Sequence, residues 1–329
     1  MKNNRVGLGT FPLADVFSHI SKKDAKNIVR QFINQGGYFI DTAPMYGFGE
    51  VEVLLGEVFK EFPRDKFYIL TKCIYIDVEG KTFQTLQKSG KYQDVIRECD
   101  NSLKRMGLDY IDLYFSHSPD PNTPFEETIG AMVELKKQGK IKEIGVSNVN
   151  LTELKEYNKK GEVKFVQNRF SLINQSIDIE FESYLNENNI KLVPYQVIDR
   201  GQLSDRVFNK IEDMRKEDLR IGRSDWLPEK LNVITDWVKE ELSPIAKKLN
   251  ISLEQLSIAW ALHQTYMGFV IVGMTKPEII PVDLKSNDIQ LDNKILGEIG
   301  MVYKNLEDKI KKVSGLTIRE FRGLNEKFY

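Results

Sequence analysis

Short runs of β-branched and aromatic residues alternate with longer amphipathic stretches along most of the chain, and the alternation repeats eight times. Runs of that length and composition read as strands, and the stretches between them carry helical period. The runs fall at residues 6–9, 38–41, 67–71, 111–116, 141–146, 165–168, 191–197 and 269–272. A parallel strand needs a long crossover before the next one returns, so strands separated by helices belong in a parallel sheet. Crossovers of one hand, repeated eight times, close such a sheet on itself. The expected fold is therefore α/β: a (β/α)8 TIM barrel of eight parallel strands.

The intervening helices carry ordinary boundary signals. Ser21 precedes a helix that runs to Gln35 and stops at Gly36-Gly37. Pro124 opens one that runs from Phe125 through Leu135 to Gly139, and Ser252 caps residues 253–263. No Pro/Gly/Ser-rich linker interrupts the pattern, so residues 1–329 are expected to form one domain, a length that barrels commonly reach. Three stretches exceed what a barrel needs: residues 77–91 after the third strand, residues 198–230 after the seventh, and a tail from Asp292 expected to add C-terminal helices. The first two leave the rim at the carboxyl ends of the strands, where loops build substrate pockets.

Bulk properties narrow the partners. Lys+Arg 47 against Asp+Glu 48 gives a formal charge of -1, so no basic surplus is available for nucleic acid or an anionic membrane. The apolar stretch around Ile258 to Met274 is interrupted by His263, Gln264 and Thr265 and is too broken to span a bilayer. No secretory pattern precedes Val6, and the two cysteines, Cys73 and Cys99, are too few for a disulfide framework. A cytoplasmic location is expected. With three histidines, His19, His117 and His263, and no ligand spacing around them, no metal site is expected.

Four polar residues stand where strands should end: Asp41, Tyr46 in the loop beyond it, Lys72 and His117. In a barrel all four meet at one rim. Each also has a plainer interpretation, as rim packing for the tyrosine, a salt bridge for the Asp–Lys pair and a structural group for the histidine. The segment Phe39-Ile40-Asp41-Thr42-Ala43-Pro44-Met45-Tyr46-Gly47, the run from Leu108 to His117, Thr71-Lys72, the run from Lys140 to Asn148 and Val166-Gln167-Asn168 together resemble the aldo-keto reductases, in order and spacing, over nearly the whole barrel.

That resemblance implies hydride transfer to an aldehyde or ketone, with Tyr46 as general acid. A phenol of pKa roughly 10 donates poorly at neutral pH, and the Lys72 ammonium, held by Asp41, would lower it. His117 would orient the substrate carbonyl. By the same resemblance Ser147, Asn148 and Gln167 would hold the nicotinamide amide, and Tyr195 would stack on its ring beside Gln196. Gly9-Thr10-Phe11 would close the site, with Asp41 near the cofactor. Gly273-Met274-Thr275-Lys276 would form the phosphate-binding turn. Lys276, if not merely exposed, would favour NADP; NAD stays open.

Four features depart from the family pattern. Ile279, Val282 and Asp283 replace the polar residues that usually hold the adenosine end, and Gln196 replaces a usual serine. Ser118 replaces a common tryptophan and predicts a roomier, more polar pocket. The chain enters its first strand without the usual N-terminal hairpin, so the barrel bottom should be closed by side chains. Arg200, Arg215, Arg220 and Arg223, with Ser118, can receive a phosphate or carboxylate, unless they are simply solvated. The expected partner is thus a small carbonyl compound, sugar-derived in one version. The alternatives are a cofactor-binding sensor barrel, which would bind nicotinamide without turnover, and a redox isomerase or epimerase that retains its cofactor. The residues do not reveal the oligomeric state.

Overall fold

The computed structural model describes residues 4–77, 85–205 and 214–323. Parts of the two long rim loops, residues 78–84 and 206–213, and the last six of the tail lie outside the described residues. Among the described residues there are nine strands: β1 (Val6–Gly9), β2 (Phe39–Asp41), β3 (Tyr68–Asp77), β4 (Leu86–Ser89), β5 (Ile111–Ser116), β6 (Ile141–Ser147), β7 (Val163–Gln167), β8 (Lys191–Leu192) and β9 (Val270–Gly273). All except β4 run parallel in the order β8-β7-β6-β5-β3-β2-β1-β9. Backbone bonds join the two ends. Leu192 N–H donates to Tyr266 O at 2.9 Å, Gly268 N–H to Leu192 O at 2.8 Å, and Ile271 N–H to Pro194 O at 2.9 Å. The eight-stranded barrel expected from the alternation is the fold observed.

Helices α1 (Lys22–Asn34), α2 (Glu50–Phe59), α3 (Tyr92–Met106), α4 (Phe125–Lys137), α5 (Leu151–Tyr157) and α6 (Ile179–Glu187) follow the successive strands. After β8 come α7 (Pro228–Trp237), α8 (Ser243–Lys248) and α9 (Leu253–His263), and α10 (Ile280–Lys285) follows β9. Their starts obey the sequence signals: Ser21 Oγ accepts the Asp24 N–H, and Ser252 and Gln255 form a reciprocal cap on α9. The tail adds α11 (Asn293–Ser314) and α12 (Ile318–Phe321), as expected. Among the described residues no helix is long and apolar enough to cross a membrane.

Side chains alternate across a strand, so every second residue enters the barrel. Phe39, Tyr68, Phe165 and Phe269 fill its amino-terminal end, with Leu70, Leu113, Phe115, Val193 and Ile271 forming the rest of a separate interior cluster. Phe39 and Phe269 stack at 3.9 Å. Aromatic side chains close the bottom, as the sequence suggested. Gly7 permits this filling, since a Cβ there would sit 3.0 Å from Phe39 and Ile271.

Two boundaries differ from expectation by more than two residues. β3 does not stop at residue 71 but runs on to Asp77 and pairs antiparallel with β4, so the loop after the third strand is a hairpin standing on the rim. β8 ends at Leu192 rather than 197, because Pro194 has no N–H to donate and Gln196 takes a φ of 57°, incompatible with a ladder. Parallel pairing resumes only as the single bridge between Arg169 and Tyr195.

Candidate active site

The polar rim is the apolar interior continued by one step of two residues. Phe39 leads to Asp41, Leu70 to Lys72, Phe115 to His117, Phe165 to Gln167 and Val193 to Tyr195, so side chains chosen by strand period converge above the filled barrel. Asp41, His117, Gln167 and Tyr195 face a cavity of about 1220 Å³.

At its floor the Lys72 ammonium is fully enclosed. It donates to Asp41 Oδ1 and Oδ2 at 2.8 and 2.9 Å, to Thr42 O at 2.7 Å and to the Tyr46 hydroxyl at 3.2 Å. Burial pushes Lys72 below the ordinary lysine pKa, and the Asp41 carboxylate opposes that fall. Asp41 also accepts from Gln167 Nε2 at 2.9 Å. Tyr46 follows Met45 on a tight turn in which Gly47 and Phe48 both have positive φ. Its ring lies 6.3 Å from that of His117 and 5.0 Å from Phe11. Burial, with the charges of Lys72 and Lys88, drives His117 well below the usual histidine range. Its imidazole is neutral at physiological pH.

Beyond this group, Asn148 adopts φ 57° and locks the end of β6. Its Nδ2 donates to His117 O at 2.8 Å and Ser147 Oγ at 3.1 Å, and its Oδ1 accepts from Tyr195 OH at 2.6 Å. Ser147 Oγ in turn donates to Gln167 O at 2.7 Å. Asn168 is a positioning residue, exchanging two bonds with the Val149 backbone at 3.1 and 2.7 Å.

Most of the residues singled out from the sequence share this one cavity. Gly9, Phe11, Asp41, Tyr46, His117, Ser147, Asn148, Gln167, Tyr195, Gln196, Gly273, Thr275 and Lys276 line it, together with Ile279, Val282 and Asp283. Lys72 lies beneath its wall. Two side chains point elsewhere. Thr10 Oγ1 is buried and donates to Asp41 O at 2.8 Å, and Met274 packs in the core between sheet and helices, leaving only its backbone near the turn.

The arginines of the seventh-strand loop are paired with carboxylates; the side chains of Arg200 and Arg220 are largely buried, while those of Arg215 and Arg223 stay partly exposed. Arg200 and Arg223 bond Asp225 at 2.6 and 3.2 Å, Arg220 forks onto Asp218, and Arg215 meets Asp15 at 3.3 Å. The sequence reading missed the centre of this group. Buried Asp199 is gripped by Arg169 and by Arg322, both at 2.6 Å. Burial would raise the Asp199 pKa, but Arg322 and Arg169 hold it at about 2. Four guanidinium groups, Arg169, Arg200, Arg223 and Arg322, thus surround two carboxylates, Asp199 and Asp225. Arg169 directly after Gln167-Asn168 was a legible signal; nothing local marked Arg322.

A parallel barrel with a buried Asp–Lys–Tyr chain and a neutral imidazole at its carboxyl rim defines a class of barrel oxidoreductase. The family model described as "Aldo/keto reductase family" matches residues 5–304, and the chain belongs to that family. It is an NAD(P)H-dependent oxidoreductase. Similar proteins include an NADH-specific methylglyoxal reductase of Escherichia coli (strain K12), 28% identical over 88% of this chain and 91% of the relative. The aldo-keto reductase YhdN of Bacillus subtilis (strain 168) is 30% identical over 89% and 90%. Among solved structures, a glycerol dehydrogenase from Gluconobacter oxydans superimposes with a TM-score of 0.83 at 23% identity, covering 92% of this chain and 91% of that one.

Proposed function

We propose that the protein reduces an aldehyde or ketone, a sugar-derived carbonyl included, to the alcohol, with Tyr46 as the general acid. The observation that carries this reading is the continuous contact from Asp41 through Lys72 Nζ to the Tyr46 hydroxyl, opening on the cavity beside His117. An ammonium 3.2 Å from the phenol oxygen favours the phenolate and so makes the phenol a better donor. The neutral His117 can donate a ring N–H to the same carbonyl oxygen, fixing it within reach of Tyr46. The proton leaves Tyr46 for that oxygen, and Lys72 stabilises the phenolate left behind.

The residues fit a nicotinamide dinucleotide. Gln196 Oε1 is buried on the cavity wall with no partner among the described residues, a polar atom in need of a ligand. Ser147, Asn148 and Gln167 would hold the carboxamide against the face of Tyr195, and the cationic surplus under residues 196–201 suits a diphosphate. The chemistry such a cofactor supplies is hydride donation to the carbonyl carbon. Lys276 and Thr275 support NADP, by offering a cation and a hydroxyl to a 2′-phosphate. Asp205, Glu254 and Asp283 on the same wall oppose it. Side-by-side titrations with NADPH and NADH above pH 7, where the Asp283 carboxyl is ionised, check this balance: Asp283→Asn should gain affinity for NADPH and little for NADH. Cys73 and Cys99 are both free and buried, which fits a reducing, cytoplasmic compartment.

The direct test is oxidation of NADPH or NADH by the purified protein with a panel of carbonyl compounds. Tyr46→Phe should lower kcat by roughly 10²–10⁴ while cofactor binding survives. A variant as fast as the parent would remove Tyr46 from the acid role.

A further inference from the structure

The rim hairpin aims a cation at the reacting end of the cavity. Strand alternation breaks within β3: Cys73 and Ile74 both pack into the core outside the barrel, which consecutive residues of a regular strand do not do. The break is at Ile74, whose φ of 89° is a genuine outlier for a β-branched residue. Such distortions persist where the surroundings impose them, and they re-aim the side chains that follow. Here the side chain that follows is Tyr75. Its ring stands edge-on to His117, centroids 5.1 Å apart at 89°, and its hydroxyl accepts from Ser118 Oγ at 3.1 Å.

Directly across the hairpin from Tyr75 is Lys88. Cross-strand partners share a face, and the Lys88 ammonium accordingly lies 5.4 Å from the Tyr75 ring centroid. Lys88, Tyr75, His117 and Ser118 all line the cavity. The charge of Lys88 reaches His117, where it adds to burial and to Lys72 in disfavouring the imidazolium. Asp120, a carboxylate that feels Lys88, is engaged by Thr123 Oγ1 at 2.6 Å and by the N–H groups of Gly90 and Asn122 at 2.9 and 3.0 Å.

We propose that the substrate is an anionic carbonyl compound whose carboxylate or phosphate is received by Lys88 on the hairpin while its carbonyl oxygen lies at Tyr46 and His117. This rests on the reductase reading above and names the substrate class for the same site. Lys88 gives the group an ammonium, the charge that recognises an anion.

The test compares matched pairs, carboxybenzaldehyde against its methyl ester and glyceraldehyde phosphate against glyceraldehyde, in the wild type and in Lys88→Met. The anionic member of at least one pair should lead by roughly tenfold in kcat/KM, and the pair that discriminates identifies carboxylate or phosphate. The ratio should collapse toward one in Lys88→Met and shrink at high salt. Taking the ratio cancels any effect of the substitution on His117 that both members share. A ratio that is the same in wild type and variant overturns the proposal. Calorimetric binding of benzoate against benzyl alcohol, in the same two proteins, separates the two readings. Lys88-dependent benzoate binding without turnover of any carbonyl supports the anion site and defeats the reductase reading; turnover without charge preference defeats the anion site alone; neither binding nor turnover defeats both.

Discussion

At the scale of single residues, the site is governed by what burial does to charge. Lys72 is enclosed yet touches two carboxylate oxygens, a carbonyl and a phenol. Removing Asp41 would therefore strand a cation, whereas Tyr46→Phe takes away only a hydroxyl that Lys72 touches. Asp283 is the opposite case. Burial, reinforced by the facing carboxylate of Glu254, pushes its pKa from an ordinary 3.8 up to about 7. A carboxyl whose folded pKa is raised contributes stability below its unfolded value, and that contribution is lost as pH rises through the folded one. Stability should thus decline between about pH 4 and 7. Asp283→Asn should flatten that decline and be the more stable protein above pH 7, by on the order of 2 kcal/mol in urea melts. An unchanged pH profile would show that the carboxyl is not the source.

At the scale of elements, positions are set where backbones approach closely. A Cβ on Gly56 of α2 would stand 2.7 Å from Met106 O and 2.8 Å from Arg105 O at the end of α3. Backbone cannot swing aside as a side chain can. Gly56→Ala, normally helix-favouring, should instead cost about 1–3 kcal/mol, read as a lowered midpoint in denaturant. The same helix pair is tied through buried Glu52, which accepts from Thr71 Oγ1 and Arg105 Nε at 2.6 Å each. Thr71 adjoins Lys72, so α2 and α3 hold β3 where its lysine must lie. The β3–β4 hairpin extends that strand over the rim. The sequence reading ended the strand at residue 71, although residues 72–77 continue its β-branched and aromatic run, and the reversal of Tyr75 depends on a distortion at Ile74 that no residue pattern announces.

At the scale of the molecule, the tail is pinned to the rim at the carboxyl ends of the strands. Arg322 is fully buried, paired with Asp199 at 2.6 Å and donating to Gln202 Oε1 at 3.1 Å, while Ser224 Oγ donates to its carbonyl at 3.3 Å. Trp237 Nε1 donates to Val302 O at 2.7 Å, which fastens α11 as well. Arg322→Met should cost roughly 3–5 kcal/mol, because Asp199 is then buried with one cation fewer; urea unfolding measures it. We propose that barrel and tail form one cooperative unit, so calorimetry should record a single transition that moves as a whole in this variant. Two separated transitions would show the tail melting independently.

The residue order settled the architecture and the ring of polar groups, because both follow from local period. Eight alternations dictate eight parallel strands, and a step of two along an inward face carries Phe39 to Asp41, Leu70 to Lys72 and Phe115 to His117. Folding was needed to reveal the burial of Arg322, the engagement of Arg200, Arg220 and Arg223 by nearby carboxylates, the outward turn of Met274 and the placing of Lys88 over Tyr75. Such features depend on which distant groups share a low-dielectric space. Charge pairing across 123 positions, from Asp199 to Arg322, has no period to betray it.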